Sequence, residues 1–386
     1  MKKLVVIPSD PIKAYEQKGT SSWLKDYFNP NQNFDEVYVL SPKESLAREV
    51  YGLKIVPIAS DQQFRKELKK IAPLCVRAYG GYWATDYANY NRVPNIPVVS
   101  SIHDTNPNLM YEGLRFSDEY FVMSNVIANV LEDKYSINNI KLLGNRVDTS
   151  IFKKIDAQDN PLESCYQGKK IILHVGRKSH EKNIETVINA LVYLPEDHIA
   201  IFIGKGDVLS YQVLAEEQNV QERIFFIEKV ENEELVYWYN VADVLCVPSR
   251  WEGFGLVFVE AASCFTKIVT SNIAPMNEYL LNDGVMNILV DKNEDPETIA
   301  SAIIKILSGN DLNANTRGLI EKRFDKKVVS NREVSLYNNI GYNPNYNTLA
   351  YKKWRFKYRI ARDVIPRFKK IIKLPKRLWK KIDSYR

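Results

Sequence analysis

Short apolar runs alternate with amphipathic stretches through most of this chain, and this alternation constrains its fold more than any other feature. A strand followed by a helix, repeated many times, predicts parallel sheets with helices on both faces. The runs are almost continuously apolar, which indicates strands that are buried on both sides. The predicted strands form one series at 3–7, 36–40, 54–57, 74–77, 98–102, 120–123 and 140–142, and a second at 170–175, 200–203, 224–227, 244–247, 267–270 and 287–290.

A polar break separates the two series. It lies at 151–169, where Asp, Asn, Pro and Gly give a linker composition. We therefore predict two α/β, doubly wound Rossmann-like domains facing a cleft, with ligands beyond the carboxyl ends of the strands. The expected units are an N-terminal domain over 1–160, a C-terminal domain over 161–323, a helix over 324–340 packing back on the first domain, and a tail over 346–386. Helices are predicted at 46–51, 61–71, 124–134, 184–192, 211–218, 232–240, 256–264, 275–281 and 296–307.

The net charge of +6 conceals two regions of opposite sign. Residues 346–386 hold nine Lys and six Arg against two Asp, a net +13, which leaves −7 for the preceding 345 residues. In this tail, cations alternate with aromatic and aliphatic side chains, as in amphipathic segments that bind anionic membranes. A solvated tail is the main alternative, and no nucleic-acid partner is expected because the rest of the chain is acidic. The residues predicted to contact the membrane are Lys352, Trp354, Arg355, Lys369, Lys370 and Trp379.

Three further features bear on where the protein works. The apolar run at 4–8 is shorter than the ~7–15 residues of a secretion-signal core, and no stretch reaches the ~18 apolar residues of a membrane span. The cysteines are scattered without a C-x-x-C pair, which favours free thiols in a reducing compartment. We therefore expect a cytoplasmic protein bound peripherally to the inner face of the plasma membrane. The cysteines are Cys75, Cys165, Cys246 and Cys264.

The segment 248–261, P-S-R-W-E-G-F-G-L-V-F-V-E-A, carries the strongest chemical signal. A predicted helix starts within it, and the free amides of a helix start form a site for an anion such as phosphate. Gly253 and Gly255 allow the backbone to approach a ligand closely. Glu252 and Glu260 flank these amides, and a carboxylate accepts hydrogen bonds from the paired hydroxyls of ribose or a hexose. Taken alone, the segment is equally compatible with an ordinary strand–helix turn.

Other strand ends also carry polar side chains. Arg177 and Lys182 lie in the loop after the strand at 170–175, and such a pair suits a diphosphate. His103 stands at the carboxyl end of the strand at 98–102, where ligands bind in parallel sheets. Gly19, before a helical segment, is a weaker candidate. Solvated charges and a histidine hydrogen-bonded within the fold are the alternatives.

Together these segments resemble the retaining glycosyltransferases of family 4, which have the GT-B fold. The E-G-F-G-L-x-x-x-E-A pattern, with its E-x₇-E spacing, is similar to the donor site of that family. The resemblance covers most of residues 1–340. The other matching segments, in order, are H-D at 103–104, N-x-V-D at 145–148, V-G-R at 175–177, E-K-N at 181–183, G-x-G at 204–206, E-L at 234–235, A-D at 242–243 and P-S at 248–249.

The resemblance implies a retaining hexosyltransferase that uses a nucleotide-diphosphate sugar and needs no metal or other cofactor. Its expected acceptor is a hydroxyl of a lipid-linked or cell-envelope glycan, as in polysaccharide biosynthesis. His103, reaching the transferred sugar from the other domain, and Glu252, holding sugar hydroxyls, are the candidate catalytic residues. Glu260 would bind the ribose, and Val230, in the loop 228–231, would meet the base. The candidate donor-binding residues are Gly19, Arg177, Lys182, Val230, Glu252, Gly253, Phe254, Gly255, Leu256, Val257 and Glu260.

The chain departs from the family at Arg146, which replaces the glycine of N-G-V-D, and at Lys18, which replaces the first of two glycines. Both positions bear on the geometry of the acceptor site. Two other functions are therefore kept open. One is a sugar-nucleotide epimerase or phosphorylase of the same architecture, and the other is a non-enzymatic membrane-bound scaffold.

Overall fold

The computed structural model describes residues 1–17, 19, 21, 23–309, 315–342 and 348–364. Within these ranges the strands form an eight-stranded sheet and a six-stranded sheet, which confirms the two predicted α/β domains. The strands are β1 (Lys3–Ile7), β2 (Glu36–Ser41), β3 (Arg48–Val50), β4 (Leu53–Pro57), β5 (Val76–Tyr79), β6 (Val98–Ile102), β7 (Glu119–Val122), β8 (Ile140–Leu142), β9 (Lys170–Val175), β10 (His198–Ile203), β11 (Ile224–Ile227), β12 (Val244–Val247), β13 (Lys267–Ser271) and β14 (Asn287–Val290).

Helices cover the sheets between successive strands. Their placement follows local signals: α3, for example, starts where the Ser60 hydroxyl accepts a hydrogen bond from the Gln63 amide, and it buries Phe64, Leu68 and Ile71 on one face. The helices are α1 (Ile12–Gln17), α2 (Leu24–Phe28), α3 (Asp61–Ile71), α4 (Trp83–Tyr90), α5 (Asn125–Tyr135), α6 (Ile184–Ala190), α7 (Leu209–Glu217), α8 (Leu235–Val241), α9 (Leu256–Ser263), α10 (Met276–Tyr279), α11 (Pro296–Ser308), α12 (Asn315–Phe324), α13 (Lys326–Asn338) and α14 (Leu349–Arg359).

The strand order positions the functional loops. The C-terminal sheet runs β11-β10-β9-β12-β13-β14, and the order reverses between β9 and β12. In such sheets, ligands bind outside the carboxyl ends of the strands at this reversal. The N-terminal sheet, β3-β4-β2-β1-β5-β6-β7-β8, reverses between β1 and β5. The loops after β9 and β12, and those after β1 and β5, therefore lie where a ligand is expected.

One predicted helix is wrong. The segment 46–51 contains the edge strand β3, which pairs with β4 and makes the one antiparallel pair among the described strands. Tyr51 and Gly52 both have positive φ, at 54° and 69°, and close a tight turn between the two strands. Six residues of amphipathic pattern are too few to separate a helix from such a hairpin arm.

The chain crosses between the domains twice, at adjacent points. After β8 it passes Val147 into the C-terminal domain, and it returns through α12 into α13. The Val147 amide donates to the Phe324 carbonyl at 2.9 Å, and the Lys326 amide donates to the Val147 carbonyl at 2.8 Å. α13 packs on the N-terminal domain, where the fully buried Glu333 carboxylate is paired with both Arg77 and Arg146.

α14 packs against the N-terminal domain, and this corrects one membrane prediction. Trp354 is only 3% exposed and packs against Phe116, with ring centroids 5.1 Å apart, so it does not face a membrane. Lys352 and Arg355 are exposed on the same helix. The predicted contacts Lys369, Lys370 and Trp379 lie outside the described residues. No described helix has the length and apolar content needed to cross a bilayer.

Candidate active site

The loop between β12 and α9 is held in one conformation by its own packing. Gly255 has φ 79° and immediately precedes α9, and a Cβ there would lie 2.6 Å from the Phe258 ring. The Phe254 side chain is buried and stacks on Tyr279 at 5.4 Å, while the Tyr279 hydroxyl donates to the Phe254 carbonyl at 2.6 Å. Phe254 therefore offers a ligand its backbone, and its ring stabilises the loop.

Glu252 lies buried at this loop and is already paired. It is 8% exposed, and its Oε1 accepts hydrogen bonds from the Ser249 hydroxyl at 2.8 Å and from Lys182 Nζ. Lys182 comes from the loop after β9, so the strand reversal brings these two sequence-predicted residues together. The second oxygen of the Glu252 carboxylate can accept hydrogen bonds from a ligand.

Glu260 projects from the second turn of α9 and is 3% exposed. Its Oε2 accepts a hydrogen bond from the Tyr239 hydroxyl at 2.7 Å. Burial raises the pKa of this carboxyl to about 7, and the Tyr239 hydrogen bond opposes the rise. Glu260 lines a cavity of about 470 Å³ between the domains, with Leu256, Gly19 and Glu231 among the other lining residues.

The loop after β9 contributes cations of two kinds. Arg177 is exposed and forms an ion pair with Glu181. Lys178, a third cation of this loop, is buried, and its Nζ donates to the Gly204 carbonyl. Burial lowers the pKa of Lys178. Lys178 thus holds two loops together, whereas Arg177 is exposed and Lys182 is paired with Glu252.

The N-terminal domain contacts the loop between β12 and α9, residues 248–255, which is called the donor loop below. A Cβ on Gly253 would lie 2.5 Å from the backbone oxygen of His103 at the end of β6. The Ser124 hydroxyl donates to the Gly253 carbonyl at 2.6 Å across the cleft. The structure therefore brings His103 to the segment that holds Glu252, although they are about 150 positions apart in the chain.

His103 presents an unoccupied hydrogen-bonding atom. Its Nε2 is buried and, among the described residues, has no hydrogen-bond partner. Burial lowers the pKa of His103 to about 4, with Arg77 and Arg146 adding to the decrease. The imidazole is therefore neutral near pH 7 and can accept or donate one hydrogen bond at this atom.

The remaining predicted donor residues line the cleft more loosely. Gly19 has φ 70° and approaches the Glu231 carboxylate of the other domain. Val230, Leu256 and Val257 are half-buried and pack at the margin of the main hydrophobic core. Sequence reasoning missed Ser124 and Tyr279, because nothing in their local patterns shows that they hydrogen-bond to the loop between β12 and α9.

Within the described ranges, no group of three or more His, Cys, Asp or Glu side chains is arranged to hold a metal ion. Cys75, Cys246 and Cys264 are buried free thiols and Cys165 is an exposed one. The loops after β9 and β12 and the start of α9 contribute the charged residues Arg177, Lys182, Glu252 and Glu260. The cavity between the domains is also lined by Asp26, Arg146, Asp148, Glu231, Glu233 and Lys326.

Comparison with known proteins finds a family match over the C-terminal domain. Residues 158–322 match the family model for glycosyl transferases group 1. The D-inositol 3-phosphate glycosyltransferase of Xylanimonas cellulosilytica is 33% identical over 143 residues, covering 36% of this chain and 34% of that protein. An uncharacterized 41.2 kDa protein in the cps region of Klebsiella pneumoniae is 30% identical over 206 residues, 52% of this chain and 56% of that protein. The chain thus spans from about a third to just over half of these curated relatives.

Solved structures match nearly the whole fold. Sucrose-phosphate synthase from Thermosynechococcus elongatus has a TM-score of 0.71 at 16% identity, over 88% of this chain and 98% of that chain. HepE from Anabaena, in complex with UDP and glucose, has a TM-score of 0.66 at 16% identity, over 88% of this chain and 99% of that chain. These likenesses confirm the GT-B fold, and the family match supports the group 1 glycosyltransferase assignment.

Proposed function

We propose that this chain, with a group 1 donor domain in a GT-B fold, is a retaining glycosyltransferase that uses a nucleotide-diphosphate sugar. The observation that carries the proposal is the pairing of Glu252 with Lys182 at the loop whose Gly253 meets the His103 carbonyl, with Glu260 buried in the helix that follows this loop. Two buried carboxylates beside a cation and a helix start match the hydroxyls and phosphates of such a donor. The acceptor we propose is a hydroxyl of a lipid-linked or cell-envelope glycan.

Electrostatic stabilisation of the leaving group is the main catalytic contribution in this proposal. As the bond between the anomeric carbon and the diphosphate breaks, negative charge grows on the phosphate oxygens. Lys182, Arg177 and the amides at the start of α9 are positioned before the reaction, so they stabilise that charge without reorganising. We propose that these groups replace a metal ion, so that activity survives EDTA. Activity that is lost with EDTA and restored by Mg²⁺ would contradict this part.

The proposed stereochemistry follows from the arrangement of the carboxylates. Glu252 is held by Lys182 and Ser249, and Glu260 by Tyr239, so each already has a binding role. We propose that the acceptor hydroxyl attacks from the face that the diphosphate leaves, passing its proton to a departing phosphate oxygen. The new bond then keeps the anomeric configuration. NMR of the product tests this, and an inverted anomer would refute it.

The donor is tested first by thermal shift against a panel of nucleotide sugars and free nucleotides. The wild type is expected to be stabilised by one base in particular, and Glu260→Gln is expected to lose most of that stabilisation. Glu297→Gln, an exposed change on α11, serves as the matched control. An epimerase would convert the donor without acceptor, a phosphorylase would require free phosphate, and a scaffold would lose nothing with Glu260→Gln.

We also propose peripheral attachment to the inner face of the plasma membrane, through the outward face of α14. Leu349 and Phe356 are 67% and 66% exposed there, although Trp354 on the opposite face is buried. Lys352 and Lys353 flank these apolar side chains and are exposed. An exposed aromatic ring among lysines on a helix suits the interface of an anionic bilayer.

Liposome co-sedimentation tests the attachment. Phe356→Ser and the double change Lys352→Glu/Lys353→Glu are expected to weaken binding to vesicles that contain phosphatidylglycerol. Phe225→Ser, at an exposed phenylalanine of the other domain, is the control. A chain ending at residue 364 measures the contribution of the remaining basic residues. Equal binding by all variants, or equal binding to neutral vesicles, would refute this attachment.

A further inference from the structure

A second cavity, of about 270 Å³, lies beside His103 and belongs wholly to the N-terminal domain. It opens at the carboxyl ends of β1, β5 and β6, next to the point where Gly253 of the donor loop meets β6. No residue of the C-terminal domain is among the described residues that line it. A ligand in this cavity would therefore touch the transferred sugar from the acceptor side.

Two buried polar atoms at this cavity have no hydrogen-bond partner in the part of the chain that the structure describes. Tyr79 is 4% exposed, and its hydroxyl has no hydrogen-bond partner among the described residues. The same is true of His103 Nε2, and the Tyr79 and His103 rings are stacked with centroids 6.1 Å apart. Because a buried polar atom without a partner is costly, two of them at one cavity indicate a ligand that supplies the missing hydrogen bonds.

The wall of the cavity is aromatic and rigid. Tyr15 and Trp23 are in edge contact at 6.2 Å, Trp23 and Tyr27 at 4.8 Å, and Tyr27 contacts Tyr79 at 5.5 Å. Tyr82 also lines the cavity. Aromatic rings held by their neighbours give contact area with little loss of side-chain entropy. Such a wall suits a ring that presents C–H groups on one face and hydroxyls at its edge.

The charged side chains at the cavity restrict the chemical class of its ligand further. Apart from tyrosines, the described residues that line it include two ionisable side chains, Asp104 and the neutral imidazole of His103, and none is Lys or Arg. Asp104 accepts a hydrogen bond from the Asn106 amide at 2.9 Å and would repel an acidic ligand. A carboxylate or phosphate would be desolvated here without a cation to pair with.

From this geometry we infer that the cavity binds the acceptor, and that the acceptor's terminal unit is a neutral pyranose. Tyr79 donates or accepts a hydrogen bond with a hydroxyl of that sugar, and the aromatic wall packs on its C–H face. This inference rests on the proposed glycosyl transfer and adds the chemical class of the acceptor. Tyr79, at the carboxyl end of β5, becomes an acceptor-binding residue.

Saturation-transfer NMR tests this with methyl pyranosides of glucose, galactose and mannose, and with methyl glucuronide, each with a saturating amount of whichever of UDP, GDP and ADP raises the melting temperature of the wild type most. At least one neutral glycoside is expected to bind, with its strongest signals at ring C–H protons, and the glucuronide is expected to bind at least tenfold more weakly. Tyr79→Phe keeps the ring and removes the hydroxyl, so it is expected to weaken neutral-glycoside binding about fivefold. Tyr87→Phe, a buried tyrosine on α4 that packs on Phe64, is the matched control.

The thermal shift caused by that nucleotide is measured on the same samples. If none of the three nucleotides shifts the wild type, the proposed function itself fails. With a shift present, three results each overturn the acceptor inference: no neutral glycoside binds, the glucuronide binds as well as a neutral one, or Tyr79→Phe binds like the wild type. A Tyr79→Phe variant that responds normally to the nucleotide but loses the glycoside supports it.

Discussion

Glu260 gives the sharpest quantitative test of this site. In the folded chain its pKa is raised from 4.5 to about 7 by burial, whereas in the unfolded chain it returns to the ordinary value. The folded state therefore keeps a proton that the unfolded state has released between these two pH values. Because the folded pKa of a carboxyl is raised, this group destabilises the fold as pH rises from about 4.5 to 7, and the loss levels off above that.

The expected size follows from the shift. A change from 4.5 to about 7 corresponds to ~3 kcal/mol at high pH. Between pH 6 and pH 8 alone, the loss of folding free energy from this group is ~1.4 kcal/mol. Glu260→Gln keeps an oxygen that accepts the hydrogen bond of the Tyr239 hydroxyl, but its side chain does not titrate. The stability of the Gln variant relative to the wild type is thus expected to increase by ~1.4 kcal/mol from pH 6 to pH 8.

Urea unfolding of both proteins at pH 6, 7 and 8 measures this difference, with Glu297→Gln as the control. Taking the difference between the unfolding free energies of the two proteins cancels the contributions of all titrating groups that they share. If the wild type and the Gln variant show the same pH dependence, Glu260 is ionised throughout and the argument from burial is wrong. If the stability of the Gln variant relative to the wild type decreases towards pH 8, the predicted sign of the pH dependence is wrong.

Three further predictions concern the cleft and its supports. Gly253→Ala places a methyl group against the His103 carbonyl at the end of β6, so we expect the rate of sugar transfer to fall at least tenfold while nucleotides still stabilise the protein. Gly318→Ala is the control. Full transfer activity of the Gly253→Ala variant would refute the close contact between the domains. Lys182→Met removes the cation beside the donor loop and is expected to lower kcat/KM ~10²–10³-fold in the transfer assay, whereas an unchanged value would exclude it from the site. Arg77→Met strips one partner from buried Glu333 and is expected to cost ~3 kcal/mol in urea unfolding; adding Glu333→Gln should recover part of it.

Most strands could be predicted because their side chains are apolar on both faces. The predicted bounds of β1, β6, β9 and β12 agree with the structure, since buried parallel strands leave a continuous apolar run. The helix at 46–51 was wrong because a short amphipathic segment fits several structures. The edge strand there is set by its turn and by pairing with β4, which local periodicity does not encode.

The candidate site was predictable in part for a similar reason. Glu252, Glu260 and Lys182 lie in motifs whose spacing around strand ends carries meaning by itself. The contact of Gly253 with His103 depends on how two domains meet, and no local pattern reports it. Trp354 shows the same limit, because an amphipathic helix has a face that needs covering and the sequence does not say whether protein or lipid covers it.

The two chain crossings have a mechanical consequence. Val147 and Asp325 pair as an isolated parallel bridge, so the two segments that join the domains lie hydrogen-bonded side by side. Such a paired connection is thinner in one direction than in the other, and it bends more easily across the thin direction. We therefore expect the cleft to open in one main direction, so that each closure returns the donor loop to the same position on β6. Glu333 lies just beyond this connection and pairs with Arg77 and Arg146, so it attaches the α13 end of the connection to the N-terminal domain.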